Sequence, residues 1–382
     1  MKQILFILFF LSACFNAQVI KDSILGKPKF VKEYVLFLND SRPYTFLSND
    51  SEYGHAVIMT PKNLRNRMQD TWFETDFCRY INNETFYDKN RNITKETWYY
   101  KSGKIVDDYN YVYDSLNRLT TQNTRGYSES TRHYFYDGNS KTAKFSELYY
   151  KRKDEPMKKY GNNLESFNPL FITKFDAISK TDSIFAITND IWKKVGKGYT
   201  EGKDSIYHQK LNRIKMYDDQ YKIIEEKYFD YKSDYQNKKI SLGRHLKYEY
   251  DEHGNIIKQT DFNNGKILSY IIYENGKIIK TESIDDDGKK TYTIYIYTKD
   301  QKLKQKTMYY KEKLWQDSRY EYKGNYIIRL IYLDKPILED KIVEPIIINF
   351  KYKFDKQKNW TEIIKNINGK DLYKWIRKIE YY

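Results

Sequence analysis

The sequence predicts an all-β protein: a repetitive antiparallel array of β-hairpins forming a long twisted or curled sheet, with a small N-terminal cap that includes a short helix. Three observations predict it. A Tyr-Asp phrase followed by a turn returns along the 382 residues as FYDKNRNI (Tyr87-Asp88), VYDSLNRL (Tyr113-Asp114), FYDGN (Tyr136-Asp137), MYDDQYKI (Tyr217-Asp218) and YEYDEHGNII (Tyr250-Asp251), then as KFDKQKNW (Phe354-Asp355). Such recurrence is the mark of a repeat architecture. A second kind of turn lies between these, with Gly103, Gly265, Gly276, Gly288 and Gly369 in SGK, NNGK, NGK, DDGK and NGK. Asn-Gly and Asp-Gly pairs supply the positive φ of tight hairpins. The third observation is composition: 40 tyrosines and 20 phenylalanines stand beside a mean hydropathy of -0.85, so aromatic rather than aliphatic residues must carry the apolar burial. A tyrosine half buried on a sheet contributes about 2 to 3 kcal/mol, which is on the order of 100 kcal/mol for the whole set. That is the scale a folded domain needs against chain entropy.

Taken from the N-terminus, residues 1–17 read as a signal peptide: a Lys2 start, an apolar run from Ile4 to Leu11, then small and polar residues. The run is too short to cross about 30 Å of hydrocarbon as a helix. Two processing routes compete. Leu11-Ser12-Ala13-Cys14 resembles a bacterial lipobox, which would lipidate Cys14, and Asn16-Ala17-Gln18 resembles an ordinary cleavage site of the kind seen in secreted flavobacterial proteins. In either case no intramolecular disulfide is expected at Cys78, and its apolar-aromatic setting marks it as a small buried hydrophobe.

Residues 18–83 differ from the rest and read as a cap region. KFVKEYVLFL is a strand, and PKNLRNRMQDTWF begins a helix at Pro61. Residues 84–150 and 216–382 read as hairpin repeats. In YEYDEHGNIIKQTDF, Tyr248 and Tyr250 share a face, Asp251 to Asn255 hold the turn, and Ile257 lies on the second strand. Tyr248 to Tyr270 and Tyr270 to Tyr292 are both 22 residues. Residues 151–215 read as an irregular insertion with some strands, because DEPMKKYGNNLESFNPLF carries prolines and turn formers while DSIFAITNDIW and DSIYHQKLNRIKMY regain strand character. About eleven residues per strand and turn give roughly 25 strands, about 120 Å of flat sheet. A sheet of that width must twist, curl or split into layers.

The units VYDSLNRLTTQ and YEYDEHGNIIKQ resemble the tyrosine-aspartate repeats of the RHS and teneurin-like families. The Asn-Gly-Lys turns with flanking tyrosines resemble the MORN-like repeats of the YwqK antitoxin family. The first resemblance covers about 250 residues, is degenerate, and implies a spiralling, carbohydrate-associated β shell. The chain departs from it in being too short for a closed shell, and with repeats running to WIRKIEYY no toxin domain is expected. Neither resemblance transfers a catalytic residue.

The chemistry of the chain nominates no catalytic, cofactor-binding or metal-binding residue. His55, His133, His208, His245 and His253 are scattered without an H-E-x-x-H helix. Asp285-Asp286-Asp287-Gly288 lacks the alternating ligands of an EF-hand and reads as a charged turn. The repeat aspartates Asp88, Asp114, Asp137, Asp218 and Asp251 read as turn formers that accept from amides two residues on, with Gly254, Gly265, Gly276 and Gly288 where the chain reverses. Lysine and arginine exceed aspartate and glutamate by 67 to 52, a net +15. The excess is diffuse, which suits A+T-rich coding and edge protection and predicts no specific nucleic-acid partner. The sequence therefore leads to an exported, non-enzymatic binding or scaffold protein, secreted, periplasmic or attached to the outer membrane through Cys14. Its expected partner is a polysaccharide or another envelope component. A protein-interaction module of antitoxin or immunity type is the alternative, and a hydrolase with an unrecognised site is third.

Overall fold

The structure, a computed structural model, describes residues 24–39, 61–78, 80–100, 102–126, 129–141, 143, 145–151, 158–159, 171–195, 198–231, 240–263, 265–335 and 343–382. Residues 1–17, read from the sequence as a signal peptide, and Cys14 among them lie outside the described residues. The elements are β1 (Pro28–Phe37), α1 (Pro61–Glu74), β2 (Asn82–Tyr87), β3 (Ile93–Tyr99), β4 (Ile105–Tyr113), β5 (Leu119–Arg125), β6 (Glu129–Phe135), β7 (Phe145–Lys151) and β8 (Lys158–Lys159). They continue with β9 (Phe171–Asp176), β10 (Thr181–Val195), β11 (Gly198–Tyr217), β12 (Ile223–Tyr231), β13 (Ile240–Tyr250), β14 (Ile256–Asn263), β15 (Lys266–Glu274) and β16 (Lys277–Ile284). The last are β17 (Lys290–Tyr297), β18 (Leu303–Tyr310), β19 (Lys313–Lys323), β20 (Tyr326–Asp334), β21 (Ile346–Phe354), β22 (Trp360–Ile367) and β23 (Lys370–Tyr381). The fold is all-β with one short helix, as the sequence predicts, and the helix starts at Pro61, where the proline's missing amide costs nothing.

All 23 strands belong to one antiparallel sheet. The pairings run from β8 back through consecutive strands to β1, then from β1 to β23 and down through consecutive strands to β9. Residues 18–83, read from sequence as an end unit, thus place β1 inside the sheet, hydrogen-bonded to β2 on one side and to β23 on the other. Among the described residues the sheet is open between β8 and β9. Most of the long hairpin of β10 and β11, with strands of 15 and 20 residues, falls in 151–215, and β11 runs past its end to Tyr217.

The sheet curls around α1. Trp72 of the helix packs edge-on against Trp375 at 5.3 Å, Phe73 meets Phe350 at 5.3 Å, Arg65 pairs with Glu96 on β3, and Glu74 pairs with Lys306 on β18 at 2.9 Å. From β3 to β18 the paired order is β3, β2, β1, β23, β22, β21, β20, β19, β18. Laid flat, those strands span about 38 Å at about 4.8 Å per step, whereas a helix of this length measures about 21 Å. A single helix reaches both ends of that series only because the sheet wraps it. The main apolar core lies in this wrap, with Val35, Trp98, Leu330, Ile348, Ile363 and Trp375 among its buried members.

One device recurs at the hairpin ends. At Asp88 the Arg91 amide donates to the Asp88 carbonyl (3.0 Å), and Arg91 sits at φ 69°. This is a type I turn closed by a left-handed residue. A register shift falls just before Tyr87, Tyr113, Tyr217, Tyr250, Tyr297 and Tyr322. The extra residue bends the strand and re-aims the tyrosine. The hydroxyls of Tyr113, Tyr250, Tyr297 and Tyr322, and also of Tyr136 and Tyr352, which no such shift precedes, donate to the carbonyls of Ile93, Ile223, Ile278, Leu303, Leu119 and Ile327 at 2.7 to 2.9 Å.

Candidate functional site

The repeat aspartates occupy the turns. Asp88 Oδ1 accepts from the amides of Asn90 and Asn92, both at 2.8 Å. Asp114 accepts from Leu116 and Arg118, each at 2.9 Å, and Asp218 from Gln220 (2.9 Å) and Lys222 (2.8 Å). Asp251 accepts from the amide of Asn255 at 2.7 Å, while the Asp137 backbone carbonyl accepts from Ser140 at 3.0 Å. The backbone and side-chain hydrogen bonds from Arg118 hold the Asp114 carboxyl below the usual range, and those from Asn255 do the same for Asp251. Gly254, Gly265, Gly276 and Gly288 all have positive φ, from 71° to 82°. At Gly254 a Cβ would approach within 2.6 Å of Lys222 Nζ, the mobile end of a side chain that can swing aside, so it is the φ of 82° that disfavours a larger residue there. These residues are spread over the turns along the sheet, Asp251 and Gly254 sharing one, and the fold does not gather them into a common cluster.

The five histidines are likewise apart. His133 Nδ1 lies 3.2 Å from the Thr121 hydroxyl, His245 sits beside Glu225, and His253 is exposed in its turn. The backbone of His208 is in β11, and His55 lies outside the described residues. No group of three metal-ligating side chains occurs among the described residues. Asp285 accepts from the amides of Asp287 (3.1 Å) and Lys289 (2.8 Å), a turn role, and its hydrogen bond from Lys311 lowers its pKa. Cys78 is buried in the core.

What the fold does gather is a set of buried charges around α1. Lys365, on β22, is fully buried and donates to the carbonyls of Thr71 (3.2 Å), Thr75 (2.6 Å) and Phe77 (2.8 Å). It serves the orphan carbonyls at the helix C-terminus, where a positive group also suits the helix dipole. Burial pushes its pKa down to about 7. On the opposite side, Arg377 pairs with Glu33 and stacks 3.6 Å from the Trp360 ring centre, with both charges buried. Arg65 reaches down from the helix to Glu96, which also accepts from the Tyr111 hydroxyl at 3.0 Å. Next to them burial raises Asp107 to about 6.

Between α1 and the strands β1, β2 and β23 lies a cavity of about 390 Å³. The helix contributes Arg65, Asn66 and Gln69; the sheet contributes Glu33, Asn83, Thr85 and Arg377 together with Val31, Ile81 and Trp375. Tyr87 also lines it, its phenol pushed up to about 12 by burial first and by the Glu33 charge second, so it remains a donor at neutral pH. The set is suited to recognition through hydrogen bonds against an apolar wall. A second concavity, a shallow groove of about 730 Å³ at β15–β17, is lined by Lys277, Lys280, Tyr292, Tyr295 and Tyr297. There Tyr292 stacks on Tyr309 at 4.5 Å, and Lys280 lies over both Tyr270 (5.5 Å) and Tyr292 (5.1 Å).

Sequence reasoning passed over Lys365, the Glu33–Arg377 pair and the tyrosine hydroxyl bonds. The last were findable: the acceptor is the Ile or Leu five residues after Asp88, Asp114, Asp218 or Thr298, at Ile93, Leu119, Ile223 and Leu303. The buried charges carry no such signal, because Lys365 depends on the end of α1 packed against it and the Glu33–Arg377 pair on β1 meeting β23.

No protein-family model and no curated protein matches this chain. Among solved structures, the crystal structure titled TcdB2-TccC3-Cdc42 aligns over 82% of this chain and 20% of its own, at 10% identity and a TM-score of 0.31. The TcdB2-TccC3-TEV structure gives 86%, 20%, 8% and 0.30. A porin-like protein from Bacteroides uniformis ATCC 8492 aligns over 96% of this chain and all of its own, at 8% identity and a TM-score of 0.23. The chain spans about a fifth of the length of the first two. Scores this low carry no argument about fold or function. The sheet and the concavities described above stand on their own geometry.

Proposed function

We propose that the protein is a non-enzymatic binding or scaffold module of the bacterial cell envelope, exported and engaging an acidic polysaccharide. The observation that supports this best is the groove at β15–β17, where Lys277 and Lys280 of β16 lie beside Tyr292, Tyr295 and Tyr297 of β17. Tyrosine offers a flat apolar face with a hydroxyl at its end, which suits a ring carrying both C–H and O–H groups. Lysine adds attraction to carboxylate or sulfate, and the net +15 of the chain draws polyanions from a distance. Export follows from the signal-like residues 1–17.

A glycan array probed with the purified mature protein tests the reading. Acidic polysaccharides should be retained in a salt-sensitive way, and Tyr292→Ala and Lys280→Ala should each weaken retention. No binding to any polysaccharide, together with one protein that co-purifies in stable ratio, would replace it with a protein-interaction role. Mass spectrometry of the mature N-terminus distinguishes lipidated Cys14 from a free Gln18 end. An unprocessed Met1 would remove export altogether.

A further inference from the structure

In an antiparallel sheet alternate connections fall at the same end of the strands. The Asp turns therefore share one rim with the turns at Gly276, Thr298 and Gly324, and the turns at Gly103, Gly265, Gly288 and Gly369 form the other. Leu25 and Tyr382 belong to the Asp-turn rim, since Pro28 of β1 pairs with Tyr381 of β23 and the Tyr382 hydroxyl donates to the Tyr87 carbonyl at 2.6 Å. Neighbouring turns there are tied together. The Asn90 side-chain amide donates to Asn117 (2.9 Å), Arg118 to the Gly138 carbonyl (2.6 Å), Lys302 to the Gly324 carbonyl (2.7 Å), and Asn359 to the Leu25 carbonyl (3.0 Å).

The two rims show different surfaces to solvent. Among the described residues, thirteen large apolar side chains are exposed at the Asp-turn rim and six at the other, where they are Leu36, Ile105, Leu242, Ile267, Leu268 and Ile347. Within the Asp turns themselves, Leu116 and Tyr221 are more than half exposed and Ile178 is 96% exposed. Part of the excess has a local cause: the register shift that re-aims Tyr87, Tyr113 and Tyr297 leaves the preceding Phe86, Val112 and Ile296 on the solvent side. Cations stand among these side chains, with Arg118 over Tyr136 (4.5 Å), Lys222 over Tyr250 (5.6 Å) and Lys302 over Tyr322 (5.7 Å). Long cationic side chains lay their stems on apolar surface while the charged heads stay in the polar layer. The carboxylates of Asp88, Asp114, Asp218 and Asp251 are meanwhile engaged by backbone amides.

Chain length says what this rim faces. Leu25 lies at the rim, and Cys14 is eleven residues before it. Eleven residues reach at most about 38 Å, whereas β1, with 10 residues, measures about 33 Å from rim to rim. A lipid on Cys14 thus holds the Asp-turn rim toward the bilayer, because turning the other rim to it would use nearly the whole tether.

We infer that the Asp-turn rim is a membrane-contacting surface that lies on phospholipid, with its exposed apolar side chains entering the headgroup layer and its lysines and arginines meeting phosphate. This rests on the envelope reading and adds to it which end of the sheet meets the membrane.

Flotation of the chain from Gln18, which lacks the lipid and keeps every described residue, with phosphatidylcholine vesicles tests this. A neutral lipid gives the net +15 nothing to attract. The chain should float with the vesicles. Leu116→Asp combined with Ile178→Asp should weaken binding by about tenfold, and Ile105→Asp combined with Leu268→Asp on the other rim should leave it unchanged. All four side chains are exposed, and an unaltered thermal midpoint in both variants confirms that the fold is kept. No flotation, equal loss in the two variants, or wild-type binding by the first would each overturn the inference. Self-association that the first variant abolishes, without flotation, would assign the rim to a second copy of the chain instead. Flotation alongside an unprocessed Met1 supports the rim and removes the envelope reading; a mature N-terminus at Cys14 or Gln18 without flotation does the reverse.

Discussion

Around α1, strands β1–β4 and β18–β23 bury Trp98, Leu330, Ile348, Ile363 and Trp375 against the helix, whereas across β5–β17 the buried apolar side chains among the described residues are Ile184 and Leu246. Both regions are made of the same hairpin, with the same Asp turn and tyrosine hydroxyl bond. In the second region the place of a core is taken by polar ladders. Glu226 collects the Tyr228 and Tyr248 hydroxyls (2.9 and 3.1 Å) with Arg213 and Lys215 at 3.7 Å, and Glu282 collects Lys280 at 2.7 Å and Lys290 at 3.5 Å. Such contacts contribute up to about 1 kcal/mol each, against about 1.5 to 3 kcal/mol for a fully buried large apolar side chain. The difference teaches that this repeat can form a sheet without a core but needs a foreign element, the helix, to make a cooperative centre. Strands far from the helix are held mainly by their neighbours, as in other repeat arrays.

The comparison breaks most readily at Trp375. Its replacement by alanine should cost about 3 to 5 kcal/mol, and hydrogen exchange should show lost protection through α1 and β18–β23, with β12–β16 little changed. Uniform loss across the sheet would mean that the two regions are one cooperative unit.

Lys365→Met removes a donor shared by the Thr71 carbonyl in the last turn of α1 and the Thr75 and Phe77 carbonyls just beyond it, and should cost about 2 to 3 kcal/mol at neutral pH. The pH dependence sharpens this. Lys365 titrates near 7 when folded, against 10.5 for an ordinary lysine, so between those values the unfolded chain holds more protons. Its contribution to stability therefore rises with pH across about 7 to 10.5 and is lost as pH falls through 7. Urea unfolding at several pH values should show that rise in the wild type and a flatter profile in Lys365→Met. Identical slopes would place the ammonium in water.

The smallest effect is expected at Tyr250→Phe, which removes one hydroxyl bond to the Ile223 carbonyl and should cost about 1 kcal/mol. Exchange at the ends of β12 and β13 should quicken while the helix-wrapped strands stay protected. Tyr352→Phe, the same change against a partly buried position packed on the core, should cost more. Equal losses would show that the hydroxyl bond acts without help from packing.

Much of the hairpin was legible because its chemistry is local. Asp251 binds an amide four residues away and Gly276 needs only its own φ, so both act through neighbours in the chain. The left-handed residues Arg91, Tyr221, Gln301 and Lys358 were not legible, since a side chain there gives no compositional sign and the turn forces the conformation. The candidate cavity was hidden for a different reason. Glu33 and Arg377 are 344 residues apart and read as alternate polar positions on exposed strands until β1 pairs with β23.

By itself the sequence determined the unit: tyrosines for the packed face, aspartate for the turn, glycine or asparagine where the chain reverses, and hence an antiparallel all-β array. These are interactions within a few residues, so their free energy is written in a short window. Tertiary structure alone decided that the sheet curls, that β1 joins its two arms, and that Lys365 is an interior helix cap instead of a surface lysine. Those outcomes depend on α1 seating Trp72 and Phe73 against strands hundreds of residues away. Burial there is set by contacts between distant segments, which no local pattern records.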